Sequence, residues 1–99
     1  LEAYVYRNPH NPDGWTWIGF TSRKLEMYEH AELYYETGLQ IAPNHRGILE
    51  YQGELYLQTD RYEKALENLN ILEDLCVFNC TEKKQLATAI ETYKKDKNL

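Results

Sequence analysis

The chain has 99 residues, of which 42% are hydrophobic and 27% charged, and its formal net charge is −5 at pH 7. This composition is typical of one globular domain and excludes a disordered chain. General nucleic-acid binders need a basic face to meet phosphates, so we expect no nucleic-acid partner. No stretch approaches the roughly 20 apolar residues of a membrane span, so we also expect no membrane insertion.

Apolar residues at spacings of three and four predict amphipathic helices and no strand. The predicted helices lie, in chain order, near residues 1–7, 13–25, 29–41, 47–58, 62–75 and 81–95. The second begins at residues 11–14, because a proline and an aspartate suit a first helical turn. Residues 43–45 end the third, and residues 59–60 mark the corner between the fourth and the fifth. Thr81 is the predicted N-cap of the last helix, and Glu82 lies in its first turn.

An internal repeat of 34 residues organises the chain. A shift of 34 aligns Pro9 with Pro43, Trp15 with Leu49, Gly19 with Gly53, Tyr28 with Tyr62, Ala31 with Ala65, and Tyr35 with Leu69. Two complete units result, at 12–45 and 46–79. We read 1–11 as the end of a preceding unit, 81–95 as a capping helix and 96–99 as a tail. A single domain over 1–99 is therefore expected.

The repeated small residues predict close helix packing. Glycine in a helix costs about 1 kcal/mol relative to alanine. Its recurrence at Gly19 and Gly53 therefore indicates neighbours that a Cβ would displace, and Ala31 and Ala65 do the same in the second helix of each unit. The large residues predicted to fill the core are Trp15, Ile18, Leu33, Tyr35 and Leu39 in the first unit and Leu49, Tyr56, Leu66, Leu69 and Leu72 in the second.

This pattern strongly resembles the tetratricopeptide repeat family. The family's motif positions read Trp15, Ile18-Gly19, Ala31, Tyr35, Gly38 and Pro43 in the first unit, and Leu49, Gln52-Gly53, Tyr56, Ala65, Leu69 and Leu72 in the second. Two positions depart from the motif: polar Gln52 stands at an apolar position, and Val77 stands where proline is expected. The resemblance implies an all-α solenoid of helical hairpins, with two full repeats, a partial N-terminal helix and a C-terminal capping helix.

A narrower resemblance concerns small bacterial tetratricopeptide proteins that typically carry a secretion signal. It rests on the run from Pro43 to Leu57 and on Leu72, Leu75-Cys76, Cys80-Thr81-Glu82, Leu86, Ala89-Ile90 and Tyr93. It implies a periplasmic or otherwise exported protein, with a cytoplasmic location as the alternative. Because the sequence opens at Leu1 without an initiator methionine, we expect it to be an excised part of a longer protein.

Cys76 and Cys80 are the most specific local signal outside the repeat. Four interpretations remain open: an intrachain disulfide that pins the final helix, two reduced thiols, a zinc site and a redox motif. Zinc needs about four ligands, and no histidine or third cysteine lies nearby in sequence. The gap is also longer than the two residues of a thioredoxin-like motif or a c-type haem site, so the disulfide is favoured.

The family resemblance implies a concave groove lined by the first helix of each unit. Its groove positions fall on Asp13, Thr16, Phe20, Arg23 and Lys24 in the first unit, and on Gly47, Glu50, Glu54, Leu57 and Gln58 in the second. Phe20 is the expected anchor, because an exposed aromatic ring among charges suits a partner's side chain. The resemblance thus implies an adaptor for an unidentified protein or peptide.

No catalytic residue, cofactor or metal is predicted. His10, His30 and His45 have no nucleophile or carboxylate placed by spacing to make them catalytic bases. Glu50 and Glu54 share a helical face, and we interpret them as an acidic stripe and not as an acid–base pair. The alternative function is self-assembly, in which the truncated N-terminal face, with Leu1 and Tyr4, pairs between copies.

Overall fold

The computed structural model describes residues 2–99, which form six α-helices and contain no strand. The helices are α1 Glu2–Arg7, α2 Pro12–Lys24, α3 Tyr28–Ile41, α4 Arg46–Gln58, α5 Tyr62–Leu75 and α6 Thr81–Lys97. The all-α prediction is confirmed. The predicted helix ends agree to within one residue, except that α6 continues to Lys97; Leu1 lies outside the described residues.

The chain divides into two compact units, Leu1–Ile48 and Leu49–Leu99, and the division falls inside α4. The first unit thus contains α1, α2, α3 and the beginning of α4. The second contains the rest of α4 together with α5 and α6.

In the first unit, α2 begins as the sequence predicts. The Asn11 side chain is the N-cap and accepts a hydrogen bond from the backbone N–H of Asp13 at 3.0 Å. Pro12 is the first helical residue, where its missing N–H costs nothing because that position has no intrahelical partner. Asp13 follows in the first turn, where its negative charge complements the helix dipole.

Gly19 lets α3 pack closely against α2. A Cβ at Gly19 would collide with the ring of Tyr35, which is fully buried. Ala31 is also fully buried, so both repeated small positions serve the packing that the sequence predicts. The prediction that Leu33 belongs to the core is wrong, since 59% of it is exposed.

In the second unit, Gly53 of α4 packs against α6. A Cβ there would lie 2.7 Å from Cδ1 and from Cδ2 of the buried Leu86. Ala65, Leu72 and Ile90 are buried in this core as well. The last helix therefore contributes buried side chains to the unit, in addition to its expected role as a cap.

A short connection joins α5 to α6 and contains both cysteines. The structure links Cys76 and Cys80 by a disulfide, with their Cα atoms 5.8 Å apart. Cys80 occupies the N-cap of α6 and makes no side-chain cap hydrogen bond. The prediction that Thr81 is the N-cap is therefore wrong. The backbone of Cys80 is extended, with φ −81° and ψ 120°, as at an N-cap, and Thr81 is already the first helical residue.

At its C-terminal end, α6 is held to the corner that precedes α5. The ring of Tyr93 stacks on that of Tyr62, with centroids 5.5 Å apart and planes 10° apart. The Tyr93 hydroxyl donates to Oδ1 of Asp60 at 3.0 Å, and Nζ of Lys97 lies 3.3 Å from the same oxygen. Asp60 adopts the left-handed backbone conformation with φ 58°, which turns the chain between α4 and α5.

Candidate binding surfaces

The predicted groove residues of α2 differ in their accessibility. Asp13 and Lys24 are exposed and Phe20 is half-buried, whereas Thr16 and Arg23 are buried. The Thr16 hydroxyl donates to the carbonyl oxygen of Pro12 at 2.8 Å, so it also serves the first turn of its own helix. The parts of this set that a ligand could reach are therefore Asp13, Phe20 and Lys24.

Phe20 has cationic neighbours on its own helix. The guanidinium carbon of Arg23 lies 5.5 Å from the ring centroid, and Nζ of Lys24 lies 5.3 Å from it. Both distances are within the range of a cation–π attraction. Trp17 meets the same ring edge-on, with centroids 6.2 Å apart. These contacts fix the ring of Phe20 while leaving part of it accessible.

The predicted groove residues of α4 are likewise mixed. Gln58 is exposed and Gly47 and Glu54 are half-buried, whereas Glu50 and Leu57 are buried, with 5% and 8% of their surface exposed. With its nitrogen turned towards Glu50, the Gln85 amide donates to the two carboxylate oxygens at 3.0 and 2.7 Å. This contact fixes the buried carboxylate in a hydrogen-bonded position, as burial of a charge requires.

A cavity of about 360 Å³ lies between α4 and α6 in the second unit. Its lining consists of Glu50, Glu54, Lys84, Gln85 and Thr88. Sequence reasoning identified the two glutamates and missed the three residues from α6, because that helix was interpreted only as a cap. Continuing the 34-residue repeat into α6 aligns Lys84 with Glu50 and Thr88 with Glu54, and would have identified these two.

His45 joins α2 to α4 within the first unit. Its Nε2 lies 2.9 Å from Oδ1 of Asp13, and its Nδ1 lies 3.1 Å from the backbone nitrogen of Ile48. Since the backbone N–H must donate, Nδ1 accepts and Nε2 carries the proton given to Asp13. Sequence reasoning placed His45 in a loop without a specific role.

A second, smaller cavity of about 240 Å³ lies between α1 and α2. It is lined by Tyr4, Asn11, Asp13, Gly14 and Trp17. Both aromatic residues are substantially exposed, Tyr4 by 44% and Trp17 by 54%. Nothing in the sequence reasoning pointed to this cavity, since Trp17 lies outside the family's groove positions.

Within residues 2–99, no group of three or more His, Cys, Asp or Glu side chains could hold a metal ion. In the same range, none of the helices has the length and apolar character needed to cross a membrane.

Comparison with known proteins identifies the first repeat unit. A comparison with curated proteins gave no match, so the narrower resemblance to small exported bacterial proteins stays a prediction. Residues 12–45 match the family model described as the tetratricopeptide repeat, and they coincide with the first predicted unit. The match and the all-helical structure together support a tetratricopeptide repeat fold for this chain.

Proposed function

We propose that this chain is an interaction scaffold that binds a protein or a peptide. Tetratricopeptide repeats are in general protein–protein interaction motifs and typically not catalytic, which supports this role. The single observation that carries the proposal is Phe20: an aromatic side chain held by Trp17, Arg23 and Lys24, and still partly accessible. Such rings supply much of the affinity at protein interfaces.

In this proposal, each unit contributes its own contact surface. Of the predicted residues, the first unit offers a partner Asp13, Phe20 and Lys24, whereas Thr16 and Arg23 are buried. The second unit offers Glu54 and Gln58, whereas Glu50 and Leu57 are largely buried. The second surface includes the cavity between α4 and α6. Two carboxylates and one lysine, Lys84, line this cavity, so its net negative charge favours a basic side chain of the partner over an acidic one.

Affinity capture from extract of the source cell tests the proposal. The wild-type chain, Phe20→Ala and Phe78→Ala would be immobilised in parallel. Phe78 is the matched control, because it is the only other phenylalanine and 82% of it is exposed. We expect one protein of the extract to be captured by the wild-type chain and by Phe78→Ala but not by Phe20→Ala. Direct binding would then be measured with that protein after purification. Equal capture by all three would refute the assigned surface.

Self-assembly is the second candidate, and the accessible aromatic residues of the first unit favour it. Tyr4 and Tyr6 of α1 are exposed by 44% and 72%. Light scattering after size exclusion, across a dilution series, would show an association that Tyr6→Ser weakens. A strict monomer at the highest concentration would remove this candidate.

An exported location is the accompanying proposal. Disulfides persist in oxidising compartments and are rare in the cytosol, so the Cys76–Cys80 bond supports it. Alkylation of free thiols in intact cells, followed by mass measurement, tests it. Quantitative alkylation of both cysteines would place the chain in a reducing compartment.

A further inference from the structure

We propose that the cavity between α1 and α2 binds a quaternary ammonium group. Its lining combines two exposed aromatic side chains, Tyr4 and Trp17, with the carboxylate of Asp13. Aromatic rings attract cations through the negative electrostatic potential of their faces, and a combination of rings and a carboxylate is suited to a weakly hydrated organic cation. The site shares Asp13 with the surface proposed above, but a small cation can be tested without any protein partner.

The position of Tyr4 is fixed by the start of α2. Nδ2 of Asn11 donates to the Tyr4 hydroxyl at 2.8 Å, and Oδ1 of the same side chain caps the helix. Gly14 provides the space for the ring, because a Cβ there would lie 2.7 Å from Cε1 of Tyr4. The ring of Tyr4 is therefore held in place before any ligand arrives, which lowers the ordering cost of binding.

Asp13 supplies the negative charge of the cavity. Its side chain is 71% exposed, and it accepts one hydrogen bond from His45 through Oδ1. The chain as a whole is acidic, with a net charge of −5. Both features favour a cation over a neutral or anionic ligand.

The hydrogen-bonding capacity of the cavity selects among cations. A guanidinium group has five N–H donors and a lysine ammonium has three, and each donor needs an acceptor. The Asn11 amide is already engaged at both its nitrogen and its oxygen. A quaternary ammonium group has no N–H and needs no acceptor, whereas the donors of a guanidinium or a lysine ammonium would depend mainly on the Asp13 carboxylate.

Choline and its neutral carbon isostere, 3,3-dimethylbutan-1-ol, provide the direct test. Each would be titrated into the ¹⁵N-labelled chain at constant ionic strength while the Gly14 amide and the Trp17 indole N–H resonances are followed. We expect choline to bind about 2- to 30-fold more tightly than the isostere, the range that cation–π contacts give. Equal affinities, or no shift with either compound, would overturn the proposal.

Variants of the cavity lining show whether its residues cause the preference for choline. Trp17→Leu keeps an apolar side chain and should abolish the preference for choline, with Gly14 still reporting. Asp13→Asn keeps an acceptor for His45 and should weaken the binding of choline without changing the binding of the isostere. Phe78→Leu alters an exposed aromatic residue outside the cavity lining and should match wild type. Wild-type choline binding in Trp17→Leu would refute the site.

Two short peptides show whether the quaternary ammonium group belongs to a protein side chain or to a free small molecule. One carries a trimethyllysine and the other an unmodified lysine in the same sequence. If the trimethyllysine peptide binds more tightly than choline, the ligand is a methylated protein side chain. If choline binds as tightly as that peptide, the ligand is a free small molecule.

Discussion

Nε2 of His45 donates to Oδ1 of Asp13 across 2.9 Å, and this bond connects the loop before α4 to the first turn of α2. The second ring nitrogen accepts the backbone N–H of Ile48 at 3.1 Å. His45 immediately precedes α4, so this second bond satisfies a donor that the first turn of a helix otherwise leaves without a partner. One imidazole thus caps one helix and contacts another.

Replacement of His45 separates its two roles. His45→Ala removes the acceptor for Ile48 and should lower the free energy of unfolding by about 0.5–2 kcal/mol, the usual cost of losing an N-cap. His45→Asn can still cap and should lose less. Urea unfolding measures both, and hydrogen exchange of the Ile48 amide should accelerate only in the alanine variant. Unchanged protection of that amide in His45→Ala would contradict the capping role.

A buried amide pair in the second unit explains a departure from the family motif. Gln52 stands at a position where the motif is apolar, and it is 96% buried, with 4% of its surface exposed. Nδ2 of Asn68 donates to Oε1 of Gln52 at 2.9 Å and to the carbonyl oxygen of Leu49 at 3.0 Å. Two polar side chains in the core are therefore compatible with burial because each has a partner.

This pair predicts that a single variant loses more unfolding free energy than a double variant does. Asn68→Ala leaves Gln52 and the Leu49 carbonyl without this donor and should destabilise the chain by about 1–3 kcal/mol. The double variant Gln52→Leu/Asn68→Leu replaces both polar groups by apolar ones and should cost less than the single one. Equilibrium unfolding in urea compares them. If the double variant is the less stable, the amide pair contributes more than its own hydrogen bonds.

The sequence predicts the helices and the small-residue contacts because both depend on periodicity. Gly19 and Gly53 recur at 34 residues, and each faces a side chain that a Cβ would displace. Periodicity does not predict the hydrogen bond between Gln52 and Asn68, because only the packing of α4 on α5 shows that residues 16 positions apart are in contact. The accessibility of Phe20 and the place of Trp17 in the cavity lining also depend on side-chain placement, which residue spacing alone does not determine.

The disulfide predicts a stability that depends on reductant. Cys76 and Cys80 close a loop of five residues, for which the chain-entropy relation gives about 2 kcal/mol. A phosphine reductant should therefore lower the urea midpoint of the wild-type chain. The matched control is Cys76→Ser/Cys80→Ser, which should unfold at the midpoint of the reduced chain and be insensitive to reductant. A wild-type mass that reduction leaves unchanged would show that the thiols are not paired.

Asp60 predicts a loss of stability in acid. Hydrogen bonding by Tyr93, then by Lys97, and the charge of Lys97 hold the pKa of Asp60 below its ordinary value of 3.8. A lowered pKa in the folded state means that the stabilisation is present above the unfolded-state pKa and is lost as the pH falls through the folded one. The thermal midpoint should therefore fall as the pH decreases below about 4.

Asp60→Asn removes this dependence and keeps the fold of the corner. Asparagine tolerates the left-handed backbone that Asp60 adopts, and its carbonyl oxygen can still accept from Tyr93. The variant should have a lower thermal midpoint than wild type at pH 5, and this difference should shrink towards pH 2. Asp96→Asn, which removes an exposed carboxylate from α6, is the control and should retain the wild-type slope. Parallel curves for wild type and Asp60→Asn would show that the contacts of Asp60 with Tyr93 and Lys97 contribute no pH-dependent stability.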